Sequence, residues 1–161
     1  MNFLINLHIK ISNLKFGFFV ITMLLISKIG VSIVGGIYEY ITKISDNTFQ
    51  HSGAFVWLGA ILLAPIIETA ISQALVYEIL QKIPFTKEHN VRIVLIGGLL
   101  FSLLHSYSIG YILAIIPAGL VFMYAYVVRL KKDDAFLSVW LIHFLFNLIS
   151  FITYYWNSYI K

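Results

Sequence analysis

Residues 135–156 read Ala135-Phe-Leu-Ser-Val-Trp-Leu-Ile-His143-Phe-Leu-Phe-Asn147-Leu-Ile-Ser-Phe-Ile-Thr-Tyr-Tyr-Trp156, with no Asp, Glu, Lys or Arg among them. About 20 mainly apolar residues suffice for a helix to cross the hydrocarbon core of a bilayer. Working outward from this stretch, four more candidates appear, at roughly 16–41, 54–79, 91–106 and 109–128. The expected fold is therefore all-α, a polytopic transmembrane helical bundle of about five spans. Pro84 stops the second span soon after its end. The third is short, with Ser106-Tyr-Ser-Ile-Gly110 as a tight turn after it. Pro117 falls inside the fourth and should bend it.

Composition supports this without any motif. Of 161 residues, 60% are hydrophobic and 11% charged, and mean hydropathy is +0.91. Globular domains carry about 25% charged residues, so too few charges are present here to cover a soluble surface. The surplus apolar surface must face lipid. The length suits a single transmembrane domain over 1–161, with a core at about 54–156 preceded by an interfacial segment and a first span in 1–53. Residues 5–12 alternate apolar and polar and read as the interfacial part. No cysteine is present, which excludes disulfides and thiolate metal sites.

The net charge of +4 is not a nucleic-acid signature, because the basic residues lie in short loops between apolar runs. They set topology instead. With the N-terminus inside, Lys10, Lys15, Lys82, Lys87, Arg92, Arg129, Lys131 and Lys132 are cytoplasmic, and only Lys43 and Lys161 are outside, as the positive-inside rule expects. Tyr154, Tyr155, Trp156 and Tyr159 then form an aromatic belt at the outer end of the last span.

Ionisable groups within spans cost about 2.5–3.5 kcal/mol at a helix centre, so each demands a reason. Lys28, Glu68, His105, His143 and the neutral Asn147 all lie within these segments. Taken singly, the bland readings are strong. Lys28 can extend to an interface or pair with a carboxylate, a lone His can be a packing residue, and a lone Asn commonly joins helices. Spacing shifts the balance. His143 and Asn147 are four apart and share a helix face, as do Phe101 and His105. One carboxylate, two imidazoles and one carboxamide from three helices can meet in one cavity.

Three ordered stretches now carry a resemblance: Glu68-Thr69-Ala-Ile-Ser-Gln73, Phe101-Ser-Leu-Leu-His105 and His143-Phe-Leu-Phe-Asn147. They resemble the E-E-x-x-x-R, F-x-x-x-H and H-x-x-x-N motifs of the CAAX-protease and bacteriocin-processing (CPBP, or Abi) intramembrane proteases, which include type II CAAX prenyl endopeptidases. The departures are Thr69 in place of the second Glu and Gln73 in place of Arg. Both charges of an ion pair along one helix face are absent together, and a Thr69–Gln73 hydrogen bond is the expected replacement.

The resemblance implies intramembrane peptide hydrolysis. Glu68 would be the general base, His105 would help hold the water, and His143 with Asn147 would form an oxyanion hole. Thr69, Gln73 and Phe101 would support them. It implies a membrane-associated protein or leader-peptide substrate, the lipid bilayer as surroundings, and no nucleic acid. No cofactor is expected. A zinc version, with Glu68, His105 and His143 as ligands, stays open, because family members have been called metalloproteases, but no H-E-x-x-H pair is present. Ile-, Lys- and Asn-rich usage suggests a bacterial cytoplasmic membrane. Two other classes remain: a non-catalytic immunity or partner-binding membrane protein of the same fold, and a proton-coupled transporter, which the missing inverted repeat disfavours.

Overall fold

The computed structural model describes residues 2–44 and 58–159. Among these residues it is helical, with no strand. The expected start of the second span at Ala54, and Lys161, lie outside the described residues, as does the Tyr159 side chain. Six helices follow in order: α1 (Asn2–Ser12), α2 (Phe16–Thr42), α3 (Gly59–Leu80), α4 (Asn90–Leu104), α5 (Ile109–Arg129, continued by a 3₁₀ turn over Leu130–Lys132) and α6 (Ala135–Tyr159).

Among the described residues four helices are long and apolar enough to cross a membrane: α2, α3, α5 with its 3₁₀ turn, and α6. The expected fifth span, at 91–106, becomes the 15-residue α4. At 1.5 Å per residue it is about 22 Å long, against a hydrocarbon core of about 30 Å. A straight crossing by α4 alone is therefore incomplete. The alternating segment at 5–12 folds as α1, with Phe3, Leu4 and Ile5 exposed.

The bundle is arranged around α5, which packs against α2, α4 and α6, while α3 lies mainly against α6 and α4. Inside, Phe19, Met23, Phe101, Phe122, Val139 and Ile142 are buried. Outside, long apolar side chains such as Leu25, Ile29, Ile33, Leu63, Ile67 and Leu103 are exposed. This outward apolar surface is what a lipid solvent requires.

Small residues let α4 and α5 approach closely. A Cβ added at Gly119 would stand 2.3 Å from the Gly98 carbonyl oxygen, so no larger residue fits there. This contact sits one turn from Phe101 and fixes the height of the α4 C-terminus against α5.

Arg129 secures the opposite end. It is buried and forms a two-pronged ion pair with Asp134, the residue before α6, with Nε 2.6 Å from Oδ1. It also donates to the Leu14 carbonyl at 3.3 Å. Lys132 Nζ donates to the Ser12 carbonyl at 2.5 Å. The α1–α2 corner and the α5–α6 corner therefore meet, and their basic residues gather at one end of the bundle.

Lys28 has no carboxylate partner among the described residues. Its Nζ donates to the Ser150 hydroxyl at 2.6 Å and lies 3.8 Å from the Phe146 ring centroid. The charge joins α2 to α6 through a hydroxyl and an aromatic face.

Candidate active site

α3 is an irregular helix. Gly59–Leu63 and Thr69–Leu75 are π-helical, and Ala64–Glu68 between them is α-helical. Such wide turns are rare and concentrate at functional sites. Glu68 ends the α-helical segment at the junction with the second wide turn. Antiparallel to α3 runs α6, so that Ala60 lies by Asn147 and Glu68 by His143.

Glu68 Oε2 stands 3.4 Å from His105 Nε2 and 3.4 Å from His143 Nε2. Three helices thus deliver one carboxylate oxygen between two imidazoles. Oε2 is buried, yet neither contact has hydrogen-bond geometry. A separation of 3.4 Å lies beyond the usual range for a direct bond and invites a bridging molecule. The Glu68 side chain keeps 32% of its surface exposed, against 14% for His105 and 4% for His143. The site is therefore reached from the Glu68 side and closed behind His143.

The shortness of α4 places His105. The helix ends at Leu104 and His105 is its C-terminal cap, with φ −93° and ψ 50°. Its Nδ1 lies 2.9 Å from the Phe101 carbonyl oxygen, which can only accept a hydrogen bond from it. Nδ1 is thus the protonated nitrogen, and Nε2 is left to face Glu68. Ser108 then caps α5, its Oγ accepting from the Tyr111 amide at 3.0 Å.

His143 is held between two rings, Phe122 at 4.8 Å and Phe101 at 5.6 Å between centroids. Phe101 also stacks near His105 at 4.5 Å, so one aromatic side chain orients both imidazoles. Nδ1 of His143 is buried without a hydrogen-bond partner. Asn147 does not join the Glu–His cluster with its bonded N–H. Its amide nitrogen donates to the Ala60 carbonyl oxygen, 2.9 Å away in the first wide turn of α3.

Thr69 and Gln73 correct an expectation. Both are fully buried, but Thr69 Oγ1 and both amide atoms of Gln73 lack partners, so the expected Thr69–Gln73 hydrogen bond is not formed. The intervening helix is π-helical, and the i, i+4 alignment of an α-helix does not carry over to it. Sequence reasoning also missed Phe122, Tyr111 (6.1 Å from His105 between rings) and the Ala60 carbonyl. The aromatic residue after Ser108-Ile-Gly was the only signal for Tyr111, and a main-chain acceptor leaves none.

Among the described residues no group of three His, Cys, Asp or Glu side chains is placed to hold a metal ion.

No curated protein and no solved structure matches the chain. Residues 49–149, more than half of the sequence, match the family described as type II CAAX prenyl endopeptidase Rce1-like. The Glu68–His105–His143 cluster lies wholly within the matched stretch, on the two candidate spans α3 and α6 and at the end of the shorter apolar α4. The chain is an integral membrane protein and belongs to the type II CAAX prenyl endopeptidase Rce1-like family of intramembrane proteases.

Proposed function

We propose that the protein hydrolyses a peptide bond of a membrane-associated protein or leader peptide, with water activated by Glu68. The observation that carries this is the equal 3.4 Å approach of one carboxylate oxygen to two imidazole nitrogens. A water lodged there has an acceptor in Glu68 and a positioning partner in His105 Nε2. Glu68 takes a proton from the water as the oxygen attacks the scissile carbonyl carbon. The resulting oxyanion accepts from His143 Nε2–H and from the second N–H of Asn147, whose first is committed to Ala60. Glu68 then returns its proton to the departing amine. A placed general base contributes about 10²–10⁴-fold, and one oxyanion donor about 10²–10³-fold. Phe101 and Phe122 hold the imidazoles, and Thr69 with Gln73 backs the second wide turn of α3.

In this reading the core at about 54–156 carries the chemistry, and 1–53 supplies the interfacial helix and first span. The N-terminus and the basic end face the cytoplasm of a bacterial cell. The test is peptide cleavage by the purified full chain, with Glu68→Gln and His105→Ala beside wild type, each with and without a chelator. Cleavage that disappears in both variants and ignores the chelator supports the scheme. Cleavage that persists in Glu68→Gln overturns it, and chelator-sensitive cleavage returns a metal to Glu68.

The unpartnered Thr69 and Gln73 favour a second reading, a non-catalytic immunity or partner-binding factor of the same fold. In that case Glu68→Gln leaves the biological function intact.

A further inference from the structure

Two contiguous cavities lie beneath α1, lined by no residue of α3 or α6, the helices that carry Glu68, His143 and Asn147. The first has a volume of about 610 Å³ and is formed by α1, the start of α4 and the end of α5. This is within the ~300–1,000 Å³ usual for ligand sites. The second, about 350 Å³, continues from it, sharing His8, Val94 and Tyr124.

Their linings differ in kind. The first cavity gathers His8, Ser12, Asn90 and Lys131, with Val94 and Leu95 along its wall. Apart from the shared His8 and Tyr124, the second is wholly apolar, with Leu7, Ile11, Met23 and Leu120 among its lining. The His8 ring lies 2.9 Å from the Tyr124 hydroxyl through Nδ1, a strut that ties α1 over the junction. The combined space is polar at one end and oily along the rest.

The polar end also has a sign. Lys131 and His8 line it, no carboxylate does, and Lys131 has no ion pair among the described residues. Lys132 is held nearby on the Ser12 carbonyl. Asp134, three residues after Lys131, is paired with Arg129.

We infer that this groove binds one anionic glycerophospholipid, its phosphate at Lys131, His8 and Asn90 and an acyl chain running past Val94 into the second cavity. Charge complementarity selects an acidic headgroup, and the apolar extension selects a lipid over a free anion. Basic pockets between transmembrane helices take acidic headgroups for this reason. The bound lipid completes the packing under α1, which the protein side chains leave open.

The test is native mass spectrometry of the full-length protein released from detergent, after addition of phosphatidylglycerol or phosphatidylcholine in equal amounts. Wild type should retain one phosphatidylglycerol, with phosphatidylcholine retained about ten-fold less. Lys131→Glu, an exposed position, should lower phosphatidylglycerol retention about ten-fold, with helicity unchanged by circular dichroism. Val94→Trp, which fills the shared wall, should lower retention of both lipids. Glu68→Gln should bind as wild type does. Equal retention of the two lipids, or undiminished retention by Lys131→Glu, overturns the inference. So does displacement by inorganic phosphate, which would mark a plain anion site, or by a farnesylated peptide, which would mark a substrate groove.

Discussion

The Asn147 side chain donates to the Ala60 carbonyl at 2.9 Å and so holds α6 against the first wide turn of α3, eight residues before the carboxylate at position 68. Asn147→Ala should therefore lower both stability and activity. The stability loss is expected near 1 kcal/mol, the range for interhelical hydrogen bonds in membranes, and the rate loss near 10²-fold. Asn147→Asp should be worse than alanine, because it sets an acceptor against the Ala60 carbonyl. Thermal unfolding in detergent and peptide cleavage on the same preparations separate the two effects.

Glu68, His105 and His143 should act as one unit. Single variants Glu68→Gln and His143→Ala should each lose nearly all cleavage, and the double variant should be no worse than the poorer single one, as for groups that serve one step. Multiplicative losses, read from single-turnover rates, would show that the two residues contribute independently.

Gln73 carries a fully buried carboxamide with no partner for either polar atom. An unmade buried hydrogen bond costs about 1–3 kcal/mol. Gln73→Met, similar in volume, should raise the unfolding temperature in detergent. Thr69→Glu and Gln73→Arg, each placing a lone charge in this buried segment, should each lower it, since a lone buried charge costs several kcal/mol. A lower unfolding temperature for Gln73→Met would show that the amide is satisfied.

Arg129 and Asp134 form a two-pronged ion pair, with the guanidinium buried beside Phe16 and Phe19. Asp134→Ala should destabilise by about 3 kcal/mol, because it strands a buried cation. Arg129→Met combined with Asp134→Leu should recover most of that loss. Chemical denaturation monitored by tryptophan fluorescence reads both.

The spans and the cluster were legible in the sequence for one reason: lipid tolerates few polar groups, so those present stand out. Glu68, His105 and His143 were each visible as an expensive exception, and the structure brings them together. What hid was whatever depends on the path of the main chain. Hydropathy marked 91–106 as a span but did not show that its helix would stop at Leu104. Residue spacing placed Thr69 over Gln73 only by assuming α-helical turns, which α3 does not keep. The Ala60 partner of Asn147 is a carbonyl, a group every residue possesses, and no sequence signal marks it. Phe122 reaches His143 through the packing of α5 on α6, a long-range relation with no local pattern.

α4 falls about 8 Å short of the hydrocarbon thickness, a mismatch that a bilayer accommodates by thinning beside a short helix, among other ways. Thinning at its His105 end would shorten the path of water and of a target polypeptide to Glu68. Cleavage should then slow in bilayers of longer acyl chains, while the folded shape stays the same.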